Sequence, residues 1–236
     1  MEWTGYADEI RSLLGLEGNP VAVTFSMEPA EGAAKGKHRV CDAFLKAQGG
    51  ATIDLTAATS ACHGGTWYLG LGAPPTGDDD RALKDFLVNG EKLFSSVANF
   101  RRSQMLSMPP PTGIADHVIF APLGLAKLRP DLILFVCNAE QASRLVTLDM
   151  YDTGIPPRLE LSGPTCHQAV GYPASTGQFN VSLMDYTSRR NKGYASSDLI
   201  VTIPYHRFPG VMRSIDRCTA GRAKFEVPAA MRRRGA

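Results

Sequence analysis

A repeated pattern around two cysteines constrains the fold of this chain more than any other feature of its sequence. Residues 61–68 and 165–172 both contain a Cys-His pair that is followed, after four residues, by a tyrosine. Each copy then runs through proline to a Thr-Gly pair, at 76–77 and at 176–177. Glycine and proline at this density are typical of loops, so both copies are predicted to be loops and not helices.

The segments that precede the two copies also correspond. In each, an apolar run that predicts a strand (21–25 and 132–136) is followed by a segment with helical spacing (38–48 and 139–151). Because an internal repeat determines the architecture of a chain, we predict a duplicated unit whose halves pack about a pseudo-two-fold axis.

The predicted fold class is therefore α/β, with mixed α+β character and two pseudo-symmetric halves that each have strands, a helix and a Cys-His loop. The axis would bring Cys62 and Cys166 to equivalent positions that face each other. The predicted divisions are a first half at 1–125, a second half at 126–206 and a basic C-terminal segment at 207–236. Further strands are predicted at 118–121, 179–183 and 199–203.

Size and composition place the chain among globular proteins. Its 236 residues can bury a substantial core, and 44% hydrophobic with 20% charged residues exclude a disordered chain. No apolar run reaches the ~20 residues that cross a bilayer. Residues 1–6 lack the basic and apolar regions of a secretory signal. We therefore expect a cytoplasmic protein without membrane contact.

The formal net charge of +2 is too small to indicate a nucleic-acid partner. Its distribution is uneven, since eight basic residues against two acidic ones from Arg207 onward give this segment a charge of +6 and leave −4 for the rest. A short basic end is more often solvated than bound to a partner. Nucleic acid is therefore not an expected partner.

Five cysteines, an odd number in a long chain without a secretory signal, argue against a disulfide framework. Cys137 ends an apolar strand and is expected to fill the core, whereas Cys218 has no equivalent in the first half. Cys41 lies in the first turn of a predicted helix, where N–H groups and the helix dipole favour a thiolate. Burial as a small apolar residue is the alternative for Cys41.

The region between the two Cys-His copies is predicted to contain another helix. Acidic residues at 78–80 indicate its start, because carboxylates cap helix N-termini and complement the dipole. Its core-facing side is predicted from apolar residues at helical spacing: Leu83, Phe86, Leu87, Leu93 and Phe94. The segment 101–112, which ends in three prolines, is predicted to be a loop.

Sequence blocks spread over most of the chain match one family pattern. They are the strand after Asn19-Pro20, the helix opened by Cys41, the run Cys62-His63-Gly64-Gly65, the block 118–135, the helix start at 140–142, Cys166 before Tyr172-Pro173, and the block 198–205. In these blocks the chain resembles the uncharacterised prokaryotic family named domain of unknown function 169.

The resemblance implies a metal cofactor. Members of this family look like cytosolic proteins of anaerobes and archaea, and their recurring cysteines look like iron-sulfur ligands. By position, the ligands here would be Cys41, Cys62 and Cys166, which leave one iron of a 4Fe-4S cluster free of protein sulfur. The family pattern has a further Gly-Cys pair where this chain has Met184-Asp185. A fourth thiolate is therefore missing from the expected set.

The family has no settled activity, so the reaction is predicted from the ligand set. An open iron would bind a small molecule as a Lewis acid or one-electron donor, which predicts an oxidoreductase or lyase of anaerobic metabolism. Gly64 and Gly65 would then offer N–H groups to the cluster. Proton donors or a fourth ligand would be His63 and His167. A small anionic substrate would be oriented by Tyr68, Tyr172, Arg39 and Arg189. The expected partners are that substrate, an electron-donor protein and a second copy of the chain in a homo-oligomer.

Three other interpretations stay open on the residues alone. Two Cys-His pairs related by the axis would form a closed tetrahedral Cys2His2 zinc site. Cys62 or Cys166 would act as a nucleophile if a histidine served as its base. A metal-free binding or assembly module would use the repeated segments to line a cleft for a small ligand.

Overall fold

One antiparallel sheet forms the centre of the fold in the computed structural model, which describes residues 3–227. Six strands make up this sheet: β1 (Val21–Ser26), β2 (Ile53–Leu55), β3 (His117–Pro122), β4 (Leu132–Cys137), β5 (Asn180–Ser182) and β6 (Leu199–Pro204). Their order across the sheet is β2-β3-β1-β4-β6-β5. The predicted mixed α+β class is confirmed.

Nine α-helices surround the sheet within the described residues: α1 (Trp3–Leu14), α2 (Val40–Gln48), α3 (His63–Tyr68), α4 (Gly77–Asp85), α5 (Val97–Met105), α6 (Ala139–Met150), α7 (Tyr172–Thr176), α8 (Tyr186–Asn191) and α9 (Phe208–Ser214). Two π-helical segments, Phe86–Gly90 and His167–Gly171, and a short 3-10 helix, Leu123–Leu125, complete the set.

The central strands are buried on both faces, which explains their continuous apolar sequences. All six residues of β4 are buried, and β1 is buried from Val21 to Thr24. β1 pairs with β3 along its whole length. It pairs with β4 over three residues only, beginning where Val21 lies opposite Leu134. The middle of the sheet therefore joins the first and second parts of the chain.

Alternating side chains of the strands divide the interior into two cores. Ala22 and Ile133 face a core that is closed by α1, α6 and α9. Val21, Val23 and Leu134 face the opposite core, which is closed by α2 and by residues 166–171. All three cysteines of the expected ligand set therefore lie near the second face of the sheet.

The predicted internal duplication is not confirmed. The strand order itself is symmetric: if β1, β2 and β3 correspond to β4, β5 and β6, the order from one edge of the sheet to its centre is the same as from the other edge. A two-fold axis between β1 and β4 would produce this order. The helices do not follow that symmetry, since α2 and α6 pack on opposite faces of the sheet. Moreover, Cys62 follows β2, whereas Cys166 precedes β5.

The prediction that both Cys-His segments are loops was wrong. Cys62 is the N-cap of α3, and Cys166 directly precedes the π-helical segment that continues into α7. Gly64 and Gly65 are poor helix formers, but helix propensity is a weak preference that tertiary packing overrides. Here Gly65 and Tyr68 are buried against the core that includes α2.

The segment between residues 77 and 106, here called the cover segment, is more helical than predicted. The acidic residues 78–80 do lie in the first turn of α4. Part of the predicted loop 101–112 is instead the end of α5, which Ser96 caps by accepting a hydrogen bond from the Asn99 N–H at 3.3 Å. The cap explains the helix, because it satisfies one of the free N–H groups of the first turn.

The predicted first-turn position of Cys41 and the predicted burial of Cys137 are confirmed, and the helix ends near them have clear caps. Cys41 lies in the first turn of α2, and Gly49 is the C-cap of that helix. Asn138 forms a capping box with Gln141 at the start of α6. Cys137 and Cys218 are both buried in the core beside α6 and α9. Burial raises the pKa of the Cys137 thiol to about 12, as expected of a core-filling side chain.

The basic C-terminal segment is largely neutralised where the structure describes it. Arg207 pairs with Asp149 at 2.6 Å, and Arg222 pairs with Glu9 at 2.8 Å. Arg232, Arg233 and Arg234 lie outside the described residues. Among residues 3–227, no helix combines the length and apolar character that a membrane crossing needs.

Candidate functional site

A cavity of about 320 Å³ lies between α2, α3, the start of the π-helical segment at 167 and the cover segment. Cys41, Cys62 and Cys166 all line it, although 125 positions separate the first from the last. Their three backbone positions belong to different elements, so only the tertiary fold brings the three side chains to one cavity.

Cys41 enters the cavity from the first turn of α2 and is half-buried. Burial raises the pKa of its thiol, and the nearby Asp42 carboxylate adds to the rise, whereas Lys192 and a hydrogen bond with the Ser188 hydroxyl oppose it. The Tyr194 hydroxyl donates a hydrogen bond to the Cys41 carbonyl at 2.8 Å. This buried tyrosine holds the start of α2 in place.

Cys62 is held by the backbone of its own helix. Its sulfur accepts a hydrogen bond from the Gly65 N–H at 3.4 Å. Gly65 lies so close to α2 that an added Cβ would be 2.8 Å from Val40 Cγ2, a distance that real side chains do not adopt. Only glycine therefore lets this N–H approach the sulfur while α3 packs on α2.

Cys166 is the most buried of the three cysteines, and it lies close enough to the other two for their charges to affect its pKa. Burial raises the pKa of its thiol well above the ordinary value, and Cys62, Asp185 and Cys41 raise it further by charge repulsion. Such repulsion acts only over short distances in a partly buried site. The cavity is thus a place where ionising one thiol makes ionising the next more difficult.

Asp185 lines the same cavity but its oxygens are already used. It is the N-cap of α8 and accepts hydrogen bonds from the N–H and hydroxyl groups of both Thr165 and Ser188, at 2.7–2.9 Å. Burial alone would raise the pKa of Asp185, but these hydrogen bonds lower it. Asp185 is a fixed negative charge that ties the Cys166 segment to α8.

Met184, the residue before Asp185, adopts a left-handed backbone with φ of 62° although its side chain is buried. A residue other than glycine in this region costs about 1–2 kcal/mol. The burial of the side chain offsets this cost.

Apolar side chains of the cover segment supply much of the remaining wall: Leu83, Phe86, Leu87, Leu93, Phe94 and Phe100. The sequence predicted the first five as a core-facing side, but Phe86 is 51% exposed and Leu87 only half-buried. Within the described part of the cover segment, Lys84 and Phe100 are the buried residues. The apolar side of this segment faces the cavity instead of a core of its own.

Two aromatic residues of α3 complete the wall. Trp67 and Tyr68 both line the cavity, with their ring centroids 4.5 Å apart. Burial raises the pKa of Tyr68 far above its ordinary value, although its hydroxyl forms a hydrogen bond with the Ser107 side chain. Tyr68 is therefore a neutral side chain in the cavity wall and not a source of negative charge.

The structure does not bring the two predicted histidines to the cavity. His167 is fully buried, its Nε2 accepts a hydrogen bond from the Met108 N–H at 2.8 Å, and its Nδ1 donates to the Ser162 carbonyl at 2.9 Å. Burial also lowers its pKa. His167 is a neutral brace between two backbone segments, and His63 is exposed outside the cavity.

Two other predicted substrate contacts also lie elsewhere. The Arg189 guanidinium donates to the carbonyls of Ala195, Ser196, Leu183 and Asp198 at 2.5–3.2 Å, so it organises the loop after α8. Tyr172 packs beside the His167 ring and is not among the lining residues. Of the expected anion contacts, Arg39 and Tyr68 are the two at the cavity.

Arg39, which the sequence predicted, and Glu91, which it did not, are charged residues at the rim of the cavity. Arg39 is exposed, and its guanidinium makes no hydrogen bond or ion pair with the residues the structure describes. Burial raises the pKa of Glu91, whereas a hydrogen bond with the Thr187 side chain and the charge of Arg39 oppose the rise. The sequence around Glu91 has no feature that predicts a site residue, apart from the glycine that precedes it.

The described side chains do not form a site for a single metal ion. Among residues 3–227, no group of three or more His, Cys, Asp or Glu side chains is arranged to hold one metal ion. The predicted Cys2His2 zinc site is not formed, because neither histidine joins the cysteines. The ligands of a cluster do not converge on one point, since its iron and sulfide atoms lie between them.

The fold and the cavity define a mixed α+β protein with three cysteine side chains gathered beside one face of an antiparallel sheet. The chain belongs to the DUF169 family, described as an uncharacterised ArCR, COG2043, whose family model matches residues 9–214. The matched part contains Cys41, Cys62 and Cys166 and excludes Cys218. No curated protein and no solved structure matches the chain.

Proposed function

We propose that this protein binds a 4Fe-4S cluster through Cys41, Cys62 and Cys166, and that the cluster acts on a small molecule in the rest of the cavity. The observation that carries the proposal is that three cysteines, distant in sequence and on separate elements, line one cavity. The two other cysteines among the described residues are buried in the opposite core. Chance placement of core cysteines does not explain this division.

The surroundings of the three thiols support the choice of a cluster with one iron not bound by protein sulfur. The Gly65 N–H already donates to one cysteine sulfur, and such hydrogen bonds stabilise the negative charge of a cluster. The carboxylate of Asp185 stands where the family pattern has a fourth cysteine, but its hydrogen bonds leave it no role as a ligand. When bound, the cluster would supply one-electron transfer or a Lewis acid at its open iron.

The chain itself would position the small molecule and exclude water. Trp67 and the apolar residues of the cover segment close the cavity, Tyr68 offers a hydroxyl, and Arg39 offers a cation at the rim. These features favour an enzyme, an oxidoreductase or a lyase, over a protein that only carries electrons. We include an electron-donor protein and a cytoplasmic location in the proposal, because free cysteines persist in a reducing compartment.

A metal-free binding module is the second candidate, and the apolar wall of the cavity favours it. The cavity has a size and lining that suit a small organic ligand without any metal. Thiol catalysis has less support, because the histidine base that it requires does not reach the cavity: His167 is bonded to backbone groups through both ring nitrogens, and His63 is not among the lining residues.

The test is the iron and acid-labile sulfide content per chain after purification without oxygen. About four of each, with visible absorption that bleaches in air, would support the cluster. Iron-free protein from cells that were grown with added iron and handled without oxygen would contradict it. One zinc per chain would favour a mononuclear site, and no metal would favour the binding module.

A further inference from the structure

Two opposite charges at the rim of the cavity are not paired with each other. Arg39 and Glu91 both line the cavity and attract each other, yet they form no ion pair within 4.0 Å. Other charged groups nearby have partners, since Lys192 pairs with Asp42 at 3.3 Å and Asp185 is fully hydrogen-bonded. Glu91 keeps a hydrogen bond with the Thr187 side chain, but among residues 3–227 neither Glu91 nor Arg39 has an ion-pair partner. These two are therefore the charges at this cavity that remain available to pair with a charged ligand.

The wall next to these charges is apolar and incompletely covered by protein. Phe86 is 51% exposed, and Leu83, Leu87 and Phe94 are only half-buried. Exposed aromatic and aliphatic side chains that line a concave surface gain free energy when an apolar ligand covers them. The cavity therefore suits a ligand with an apolar body and charged groups at one end.

We propose that the ligand is an apolar zwitterion of the α-amino-acid type. Its carboxylate would pair with Arg39, its ammonium with Glu91, and its apolar side chain would pack against the cover segment and Trp67. A ligand with a single charge would be attracted by one rim residue and repelled by the other, and the two effects largely cancel. A zwitterion gains from both, and guanidinium–carboxylate pairs are among the strongest hydrogen-bonded contacts. This inference rests on the proposed small-molecule role of the cavity.

The chain offers a direct optical probe. It has two tryptophans, Trp3 and Trp67, and Trp3 lies in the opposite core, where its indole N–H has no hydrogen-bond partner among residues 3–227. In a Trp3→Phe protein, fluorescence therefore comes from the tryptophan that lines the cavity. The probes are L-phenylalanine, 3-phenylpropionate, which lacks the ammonium, and 2-phenylethylamine, which lacks the carboxylate.

The expected result is that L-phenylalanine binds at least about tenfold more tightly than either single-charge probe, as the loss of one charged hydrogen bond requires. Arg39→Gln should reduce the affinity for L-phenylalanine to that for 2-phenylethylamine, and Glu91→Gln should reduce it to that for 3-phenylpropionate. Arg190→Gln, at an exposed arginine outside the cavity, should change none of the three affinities.

Equal affinities for the three probes, or no response of Trp67 to any of them at millimolar concentration, would overturn the inference. Iron and sulfide are measured on the same variants, and Arg39→Gln and Glu91→Gln should keep the content of the parent protein. Failure of the iron-containing Trp3→Phe protein to bind any probe would contradict the zwitterion alone, whereas probe binding by an iron-free Trp3→Phe protein would contradict the cluster alone.

Discussion

The Asp185 carboxylate accepts hydrogen bonds from both the N–H and the hydroxyl of Thr165, at 2.9 and 2.7 Å. Thr165 directly precedes Cys166, so one half-buried side chain connects the start of α8 to the most buried thiol of the cavity. Asp185 adds both a constraint on geometry and a negative charge near that thiol.

Replacing Asp185 by alanine should destabilise the fold by about 2–4 kcal/mol, because four donors on Thr165 and Ser188 lose a charged acceptor. Asp185→Asn should cost less, because one carbonyl oxygen remains to accept. Urea unfolding at neutral pH measures both. The exposed Asp152, which pairs with Arg217, is the matched control, and its alanine variant should lose much less. Equal losses for Asp185→Ala and Asp152→Ala would show that the network contributes little.

The five cysteines should separate into two groups when each is replaced by alanine. Cys41→Ala, Cys62→Ala and Cys166→Ala should each abolish cluster retention, because each removes one of three ligands. Cys137→Ala and Cys218→Ala should retain iron, since both side chains lie in the opposite core. The measurement is iron and sulfide per folded chain, with folding checked by circular dichroism. The same iron content in all five variants would refute the ligand assignment.

Gly65→Ala should destabilise the protein by about 1–3 kcal/mol, because the new methyl group would lie 2.8 Å from Val40 Cγ2. Gly64→Ala is the control, since the nearest atom to its added Cβ would be Cys62 Sγ at 4.0 Å. Unfolding of Gly65→Ala with and without Val40→Ala tests the mechanism. If the clash is the cause, the two substitutions together should cost less than the sum of their separate effects.

Replacing His167 by phenylalanine should leave the Met108 N–H and the Ser162 carbonyl without a partner, at about 1–3 kcal/mol for each. The substitution should also change the pH dependence of stability. Burial lowers the pKa of folded His167 below the unfolded value of about 6.5, so the unfolded chain binds the proton first as pH falls.

The parent protein should therefore lose stability as pH falls from about 7 towards the pKa of folded His167, and His167→Phe should lack this contribution. Unfolding free energies measured between neutral and mildly acidic pH give the comparison. A substitution at the exposed His206 should leave the pH dependence in place. A parent and a His167→Phe variant with the same pH dependence would contradict the neutral, buried assignment.

Much of the architecture follows from local patterns. The apolar runs at 21–25, 132–136 and 199–203 determine strands, because each must bury side chains on both faces of a sheet. Asn138 and Gly49 determine helix ends, because their chemistry satisfies nearby backbone groups. The position of Cys41 in a helical first turn is of the same local kind.

Only the tertiary structure decided what the chemically distinctive residues do. The local sequence around a histidine or arginine does not specify whether its side chain contacts a ligand or the backbone. His167 and Arg189 were therefore predicted to lie at the site together with Tyr68 and Arg39, although only the last two line the cavity. The Cys-His repeat singled out Cys62 and Cys166, which the structure places at one cavity, although it wrongly predicted loops. The apolar side of the cover segment was predicted to face a core. Hydrophobic spacing indicates that one side of a helix is apolar, but it does not distinguish a protein core from the wall of a cavity. The meeting of Cys41, Cys62 and Cys166 at one cavity depends on long-range packing of α2, α3 and the segment at 166–171 against one sheet, which no local pattern contains.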